Sequence, residues 1–375
     1  MNVHSSSSHS ENVHPQSNDE IDLKELFTAL WQGKWWVIGF TILGAALAIT
    51  YALTAQQWWS SKALVAMPQQ QDVAQYRQQV KQFQPVFDIY QDDGTVLVSE
   101  ELDDLVDPEI LFEQFVSAFN STNNKRRYLN SSTEFKEFKA DLEIADGDDS
   151  EQAQDAIRKL YSEWFERISA TKLNPKDEIS PYTLSLQSIG KNSSYDLLTG
   201  YLEMIDVQTH QDALNNLKAV VSAKKNELAQ QKNILMAQAK ARLSVEAEKA
   251  EYALGIAEAA DIRQPIQSGD GSELFSIDMG SKALDAKVKA LNSIKNLSII
   301  EPRLEQINAK LTMLDNLKVD TNINFQTYKI LEDIEKPVSR DKPKRALIAI
   351  LGTLLGGMLG VAIVLIRFAF RKQPD

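Results

Sequence analysis

The 375-residue chain has no cysteine. That excludes disulfides, thiolate metal sites and cysteine nucleophiles together. It also lacks a net positive charge: the formal net charge is -12, whereas a protein that tracks phosphates needs a basic face. Catalytic signatures are missing as well. There is no GxxxxGK[ST], and the glycine–lysine pairs at 33–34 and 190–191 stand without the rest of a phosphate loop. There is no GxSxG and no HExxH. Outside an N-terminal tail that carries His4, His9 and His14, the only histidine is His210, which has no partner motif. The acidic run DGDDSE at 146–151 lacks the ligand ladder and central glycine of a calcium loop. The sequence thus offers no catalytic residue, metal site or cofactor, and no nucleic-acid partner. One further shortage is local. From Ser193 to Asp261 there is no proline, and Gly200 and Gly255 are the only glycines.

Long apolar runs stand at the two ends. WWVIGFTILGAALAITYAL (35–53) and Ala346–Ile366 carry no charge, and about 20 apolar residues suffice to cross a bilayer as a helix. Trp31, Trp35 and Trp36 on one side of the first run, and Tyr51, Trp58 and Trp59 on the other, form an interfacial belt. Leu53 and Ala55 make a poor cleavage site before Gln56, so the run reads as an uncleaved anchor. Two spans put both termini on one side, and the flanking charges alone lean towards that side being inside.

The second run contains GTLLGGMLG (352–360), four glycines in nine residues of an obligatory helix. Glycine is a poor helix former. Counted by fours, Gly352, Gly356 and Gly360 line one face, with Gly357 beside it. In lipid no hydrophobic effect drives helices together, so a smooth face that admits a close neighbour has a purpose. Gly44 and Ala48 share the small-xxx-small spacing and are candidates for an internal partner; otherwise the groove serves an oligomer or another membrane protein. Before this span lies a basic motif, Pro337, Arg340, Lys342, Pro343, Lys344 and Arg345. It reads either as interfacial anchoring or as contact with an anionic headgroup or lipid-linked substrate.

The periodicity predicts the following layout: a disordered tail (1–18), a cytoplasmic amphipathic helix (19–34) with Ser17 and Glu20 at capping-box spacing, a first span (35–55), an α/β base (56–192), a long helical hairpin (193–319) with its tip near 261–280, a return strand and linker (320–343), a second span (346–366) and a tail (367–375). Strands are expected at 60–67, 182–187 and 325–331, and helices at 71–83, 107–119, 133–144 and 150–168. The helix from Ser193 would run about 100 Å if unbroken. Leu214, Val221, Leu228 and Leu235 recur every seven residues, but the companion positions Lys224, Gln231 and Gln238 are polar. That is half a heptad seam. The return helix spans 281–319, with Pro302 kinking or dividing it. The fold class is an α+β membrane protein: two transmembrane helices flank a small α/β base that carries a long helical stalk.

The layout resembles the Wzz-type polysaccharide co-polymerases, the O-antigen chain-length determinants. The segments that carry the resemblance are IDLKELFTALWQGKWWVI (21–38), WWSSKALVAMP (58–68), YTLSLQS (182–188) with LLTGYLEMI (197–205), LFSIDMGSKALDAKV (274–288) and PVSRDKPKRALIAILGTLLGGMLGVAIVLIR (337–367). The resemblance implies an inner-membrane protein with its large domain in the periplasm and both termini in the cytoplasm. It implies a ring-like homo-oligomer that works with a membrane polysaccharide polymerase, has the lipid-linked glycan as a candidate further partner, and sets the modal length of lipopolysaccharide O-antigen or a related glycan without being an enzyme. Two other classes remain open from the residues: a transmembrane sensor with a periplasmic helical ligand-binding domain, and a kinase-associated exopolysaccharide export adaptor.

Overall fold

In a computed structural model, residues 23–91, 93–142, 144, 150–177, 179–266 and 275–371 are described. The tail with its three histidines, the Ser17–Glu20 pair, most of the DGDDSE run and the centre of the hairpin tip lie outside them. Two compact units are present.

The first unit holds residues up to Ser60, Gln187–Ser194 and Lys336 onward. Its helix α1 (Leu23–Gln32) stops at Gly33, and α2 (Lys34–Thr54) follows as a separate helix. Among the described residues, α2 and the helix Arg345–Arg371 are long and apolar enough to cross a membrane.

The second unit holds Ser61–Leu186 and Tyr195–Glu335. Strand β1 (Trp59–Ala66) leads into α3 (Ala74–Lys81) and α4 (Gln84–Phe87). The single helix expected at 71–83 is thus shorter, and Pro85 opens a new turn because it needs no backbone donor there. A small hairpin, β2 (Ile89–Tyr90) and β3 (Val96–Leu97), carried no periodic signal in the sequence. Then come α5 (Pro108–Asn120), α6 (Thr122–Ser131), α7 (Thr133–Ala140) and α8 (Glu151–Glu166). The side chains of Asp107, Ser132 and Ser150 cap α5, α7 and α8, satisfying backbone N–H groups that lack a helical partner.

Strands β4 (Ile168–Lys172) and β5 (Tyr182–Ser188) precede α9 (Lys191–Ala259), a single helix of 69 residues. At about 1.5 Å per residue it spans roughly 100 Å. The return arm is divided: α10 (Gly280–Ser293), a short turn at 297–299, and α11 (Arg303–Asn316). The continuous helix expected from 281 to 319 fails where the Asn296 side chain caps a tight turn and Pro302 supplies no donor. Gly280 has φ +72°, and a Cβ there would meet the backbone of Gln264 at 2.6 Å, so only glycine lets the return arm start this close to the outgoing one.

Strand β6 (Lys329–Glu335) lies four residues later than the expected 325–331. Phe325 and Thr327 are instead buried, with Phe325 stacked on Tyr76 at 4.5 Å and on His210 at 4.0 Å. The sheet order is β4-β5-β1-β6, and the two outer pairs, β4–β5 and β1–β6, are antiparallel. Helix α12 (Arg345–Arg371) ends the described chain.

The core follows the periodicity. Leu214, Leu228 and Leu235 are buried and Val221 half-buried, in one cluster with Leu304, Ile307 and Leu314 of α11 and Tyr76, Val80 and Phe83. Past Leu235 the seam continues in alanine: Ala239, Ala247, Ala250, Ala253 and Ala257 are buried. Glu301 is buried too, accepting from Arg303 Nε at 2.6 Å and from Arg242 Nη1 at 3.1 Å. The bond from Arg303, and the charges of both arginines, hold its carboxyl below the usual range.

Two outcomes follow. Leu228→Ala empties a filled site and costs about 2–5 kcal/mol, whereas Lys225→Ala removes an exposed ion pair with Asp315 worth about 0–1 kcal/mol; faster hydrogen exchange in α9 and α11 in the first variant alone checks this. The depressed Glu301 value means that its stabilisation is full above the ordinary glutamate pKa of about 4.3 and is lost as pH falls through the folded-state value. Exchange protection near Arg242 should therefore drop in acid, and Glu301→Gln should flatten that dependence.

Candidate functional site

The site lies in the first unit, where α2 and α12 run antiparallel. Contact pairs fall in reverse order along the chain: Gly33 with Val364, Val37 with Gly360, Phe40 and Gly44 with Gly356, and Ala48 with Gly352. At Gly44, Gly356 and Gly360 these are backbone approaches. A Cβ on Gly356 would lie 2.5 Å from the Phe40 carbonyl oxygen and 3.1 Å from Gly44 Cα. One on Gly44 would lie 2.7 Å from the Gly352 carbonyl oxygen, one on Gly360 2.7 Å from Val37 Cα, and one on Gly352 would overlap the Ala48 methyl. Gly357 differs: its Cβ would meet Thr41 Oγ1 at 3.4 Å, an ordinary contact. The register therefore brings Gly44, Ala48, Gly352, Gly356 and Gly360 into one seam and leaves Gly357 at its edge.

Sequence reasoning missed the α2 half of this seam beyond Gly44 and Ala48. Its signal is small residues at spacings of three and four: Gly33, Val37, Thr41, Gly44, Ala48 and Ala52, the last buried. The threonines bring no unpaired hydroxyl into the apolar layer. Thr41 donates to the Val37 carbonyl at 2.7 Å and Thr353 to that of Ala349 at 2.7 Å.

The basic motif is a structured neck. Arg345 Nε donates to the Ala52 carbonyl at 3.0 Å. Ala52 lies in the last turn of α2, where carbonyls lack helical donors and carry the negative end of the dipole. Trp58 N–H donates to the Lys342 carbonyl at 3.0 Å, and Asp341 N–H returns a bond to the Trp58 carbonyl at 2.9 Å. The Gln187 amide reaches Ser60 Oγ and Asp341 Oδ2, both at 3.2 Å, and Lys191 lies 5.1 Å from the Trp59 ring centroid. Pro337, Arg340 and Pro343 are half-buried; Lys342 and Lys344 are exposed. So Arg345 closes the helix pair, while the side chains of Lys342 and Lys344 face outward. At the other end Arg367 lies 5.7 Å from the Trp36 ring centroid. The fourth group of residues singled out in the sequence, the leucine seam of α9, belongs to the second unit.

Two family models match. One, described as Wzz, chain length determinant protein, covers residues 19–142. The other, GNVR, described as a G-rich domain on a tyrosine kinase, covers 304–369 and so takes in most of α12. A protein of Escherichia coli K12 named ferric enterobactin transport protein FepE is 27% identical over 95% of this chain and 92% of its own length. A chain length determinant protein of Shigella dysenteriae is 25% identical over 96% and 97%. An ECA polysaccharide chain length modulation protein of Salmonella typhimurium is 25% identical over 94% and 95%. A solved structure titled full-length bacterial polysaccharide co-polymerase aligns with TM-score 0.55 and 25% identity, over 94% of this chain and all of that one.

Over nearly its whole length the chain is similar to chain length determinant proteins and to a polysaccharide co-polymerase. The contact between the two candidate spans brings together two segments that lie far apart in the chain. Gly356→Leu or Gly360→Leu should part the helices while leaving both spans inserted. Overpacking of this kind costs about 1–3 kcal/mol, and Gly39→Ala, which meets nothing within 4 Å, should cost nothing of the sort. The cysteine-free background allows the check: a Thr41→Cys/Gly357→Cys pair should crosslink within one chain, and Gly356→Leu should abolish that crosslink.

Proposed function

We propose that this chain sets the length of a lipid-linked surface polysaccharide, O-antigen or a related glycan. It does so as a ring-like homo-oligomer in the inner membrane that acts by contact with a membrane polymerase. In this reading both termini are cytoplasmic, the residues between the spans are periplasmic, and the protein performs no bond-making step of its own.

The observation that carries the reading is end-to-end alignment with proteins named for chain length, over more than nine-tenths of both partners. The packing of the spans supports it. Gly352, Gly356 and Gly360 are occupied by α2, so the face open to a neighbouring protomer or to a polymerase is the other side of α12, where Leu351, Leu354, Leu355, Met358 and Leu359 are exposed. The glycines then act by keeping two helices one unit, and the leucines make the outward contact. The exposed Lys342 and Lys344 are placed for anionic headgroups beside that contact.

The match to the G-rich model favours a second reading, an adaptor that works with a separate kinase in polysaccharide export. A kinase gene beside this one, rather than an O-antigen cluster, would support it.

Deletion of the gene should broaden or shift the ladder of surface glycan lengths on a gel, and complementation should restore it. Leu355→Ala/Leu359→Ala should reproduce the deletion with the chain still inserted. An unchanged distribution of every surface glycan in the deletion strain would sink the reading.

A further inference from the structure

The polar half of the α9 heptad lies outside the leucine seam. Lys224, Gln231 and Gln238 sit where a zipped helix pair would carry apolar residues. In the second unit they line an open groove of about 880 Å³, walled by α9, by α11 and by the β2–β3 hairpin. That is within the roughly 300–1,000 Å³ of small-molecule sites. The floor is apolar, formed by Leu228, Leu235 and Ile307 of the seam.

We infer that this groove is a saccharide-binding site, which takes a short run of the glycan whose length the protein controls. The inference rests on the function proposed above for the identity of that glycan, and on the groove alone for its chemistry.

Three observations carry it. First, Gln238 of α9 and Gln306 of α11 have no hydrogen-bond partner among the described residues, and each amide offers both donors and acceptors, as paired hydroxyls require. Gln231 is half engaged, donating to Glu227 at 2.8 Å and leaving its carbonyl open. Second, Tyr90 stands 42% exposed at the rim, an aromatic face on which the C–H face of a pyranose can stack, with a hydroxyl for its edge. Lys310 lies 5.6 Å from that ring and donates to the Asp88 carbonyl at 2.5 Å. No carboxylate lies within ion-pair distance of it among the described residues. Burial, and then the like charge of Lys224, hold its ammonium below the ordinary lysine value, so an acceptor from a ligand would relieve it. Third, the polar groups repeat: Lys224, Gln231 and Gln238 are two helical turns apart, about 10.5 Å per step. A ligand that repeats along its length meets such a ladder better than a compact one.

A second copy of this chain suits the groove less well. Protein interfaces deplete lysine and acidic residues at their core, yet Lys224, Glu227, Lys310 and Asp93 converge here.

The test uses the full chain in detergent, with oligosaccharides freed by mild acid from the host cell's own lipopolysaccharide as the probe, read by saturation-transfer NMR. Sugar-ring signals are expected with the native chain. They should fall about tenfold or more in Tyr90→Ala and in Gln238→Ala/Gln306→Ala, with the oligomer mass unchanged. No signal from the native chain, or equal signals from the variants, overturns the inference. Loss of the native oligomer mass in both variants also overturns it, by showing that a second copy fills the groove. The two claims separate cleanly. A deletion that alters glycan length while groove variants bind as the native chain does removes the groove and keeps the regulator. A deletion that alters no glycan removes the regulator, and probe binding then still stands or falls on the variants.

Discussion

Gly44 of α2 and Gly356 of α12 are separated by some three hundred residues of chain, yet their backbones meet with no side chain between them. A membrane offers no hydrophobic effect to drive such a meeting, only close van der Waals contact and the avoidance of unpaired polar groups. Contact energy falls off steeply with separation, so one methyl group in the seam forfeits much of it along the whole helix pair. The contact also joins the two ends of everything between them, a long loop whose closure costs entropy that the seam and the neck must offset together. Arg345 contributes to both. It fills an orphan carbonyl of α2 from the first residue of α12, and so ties the register of the pair to the chain that enters the second span.

The second unit solves a different problem with larger residues. A helix of 69 residues cannot be hidden, and only a line of it needs to be. Where α9 meets α11 and Tyr76 of α3, the line is leucine; where it meets α10, the line becomes alanine. The return arm need not be continuous for this to work. Its break at 294–302 falls where the buried Glu301 binds exposed arginines from both arms, so an ion network takes over from apolar contact at the point where helical periodicity is lost.

What was legible in the sequence follows from this. The spans, α9, and the leucine and glycine stripes rest on periodicity and on the shortage of proline, which act locally and leave a mark in the order of residues. The partner of the glycine face was named only in part, because small residues in α2 look like ordinary apolar filler until a facing helix fixes their register. The alanine continuation of the seam escaped for the same reason: alanine is both a helix former and a contact residue, and composition does not separate the two roles. Strand β6 was misplaced by four residues because Phe325 is strand-like in propensity but is claimed by Tyr76 and His210 from elsewhere in the chain. Strand β4, helix α6 and the β2–β3 hairpin were not legible at all. Their places are set by partners distant in sequence, such as Leu186 opposite Ile168.

The two stripes of α9 and α12 carry complementary arguments about function. In α12 the small residues are spent on an internal contact, which leaves the leucines facing out. In α9 the large residues are spent internally, which leaves Lys224, Gln231 and Gln238 beside an unfilled groove. A helix pair optimised for stability alone would have closed that groove with leucine at a gain of about 25 cal/mol for each Å² of apolar surface buried. Polar residues at those positions forgo that gain, at a spacing kept over two steps of seven. Forgone stability at regular intervals is what a surface shaped for a repeating ligand would show, whereas a seam under selection for stability alone would have replaced it.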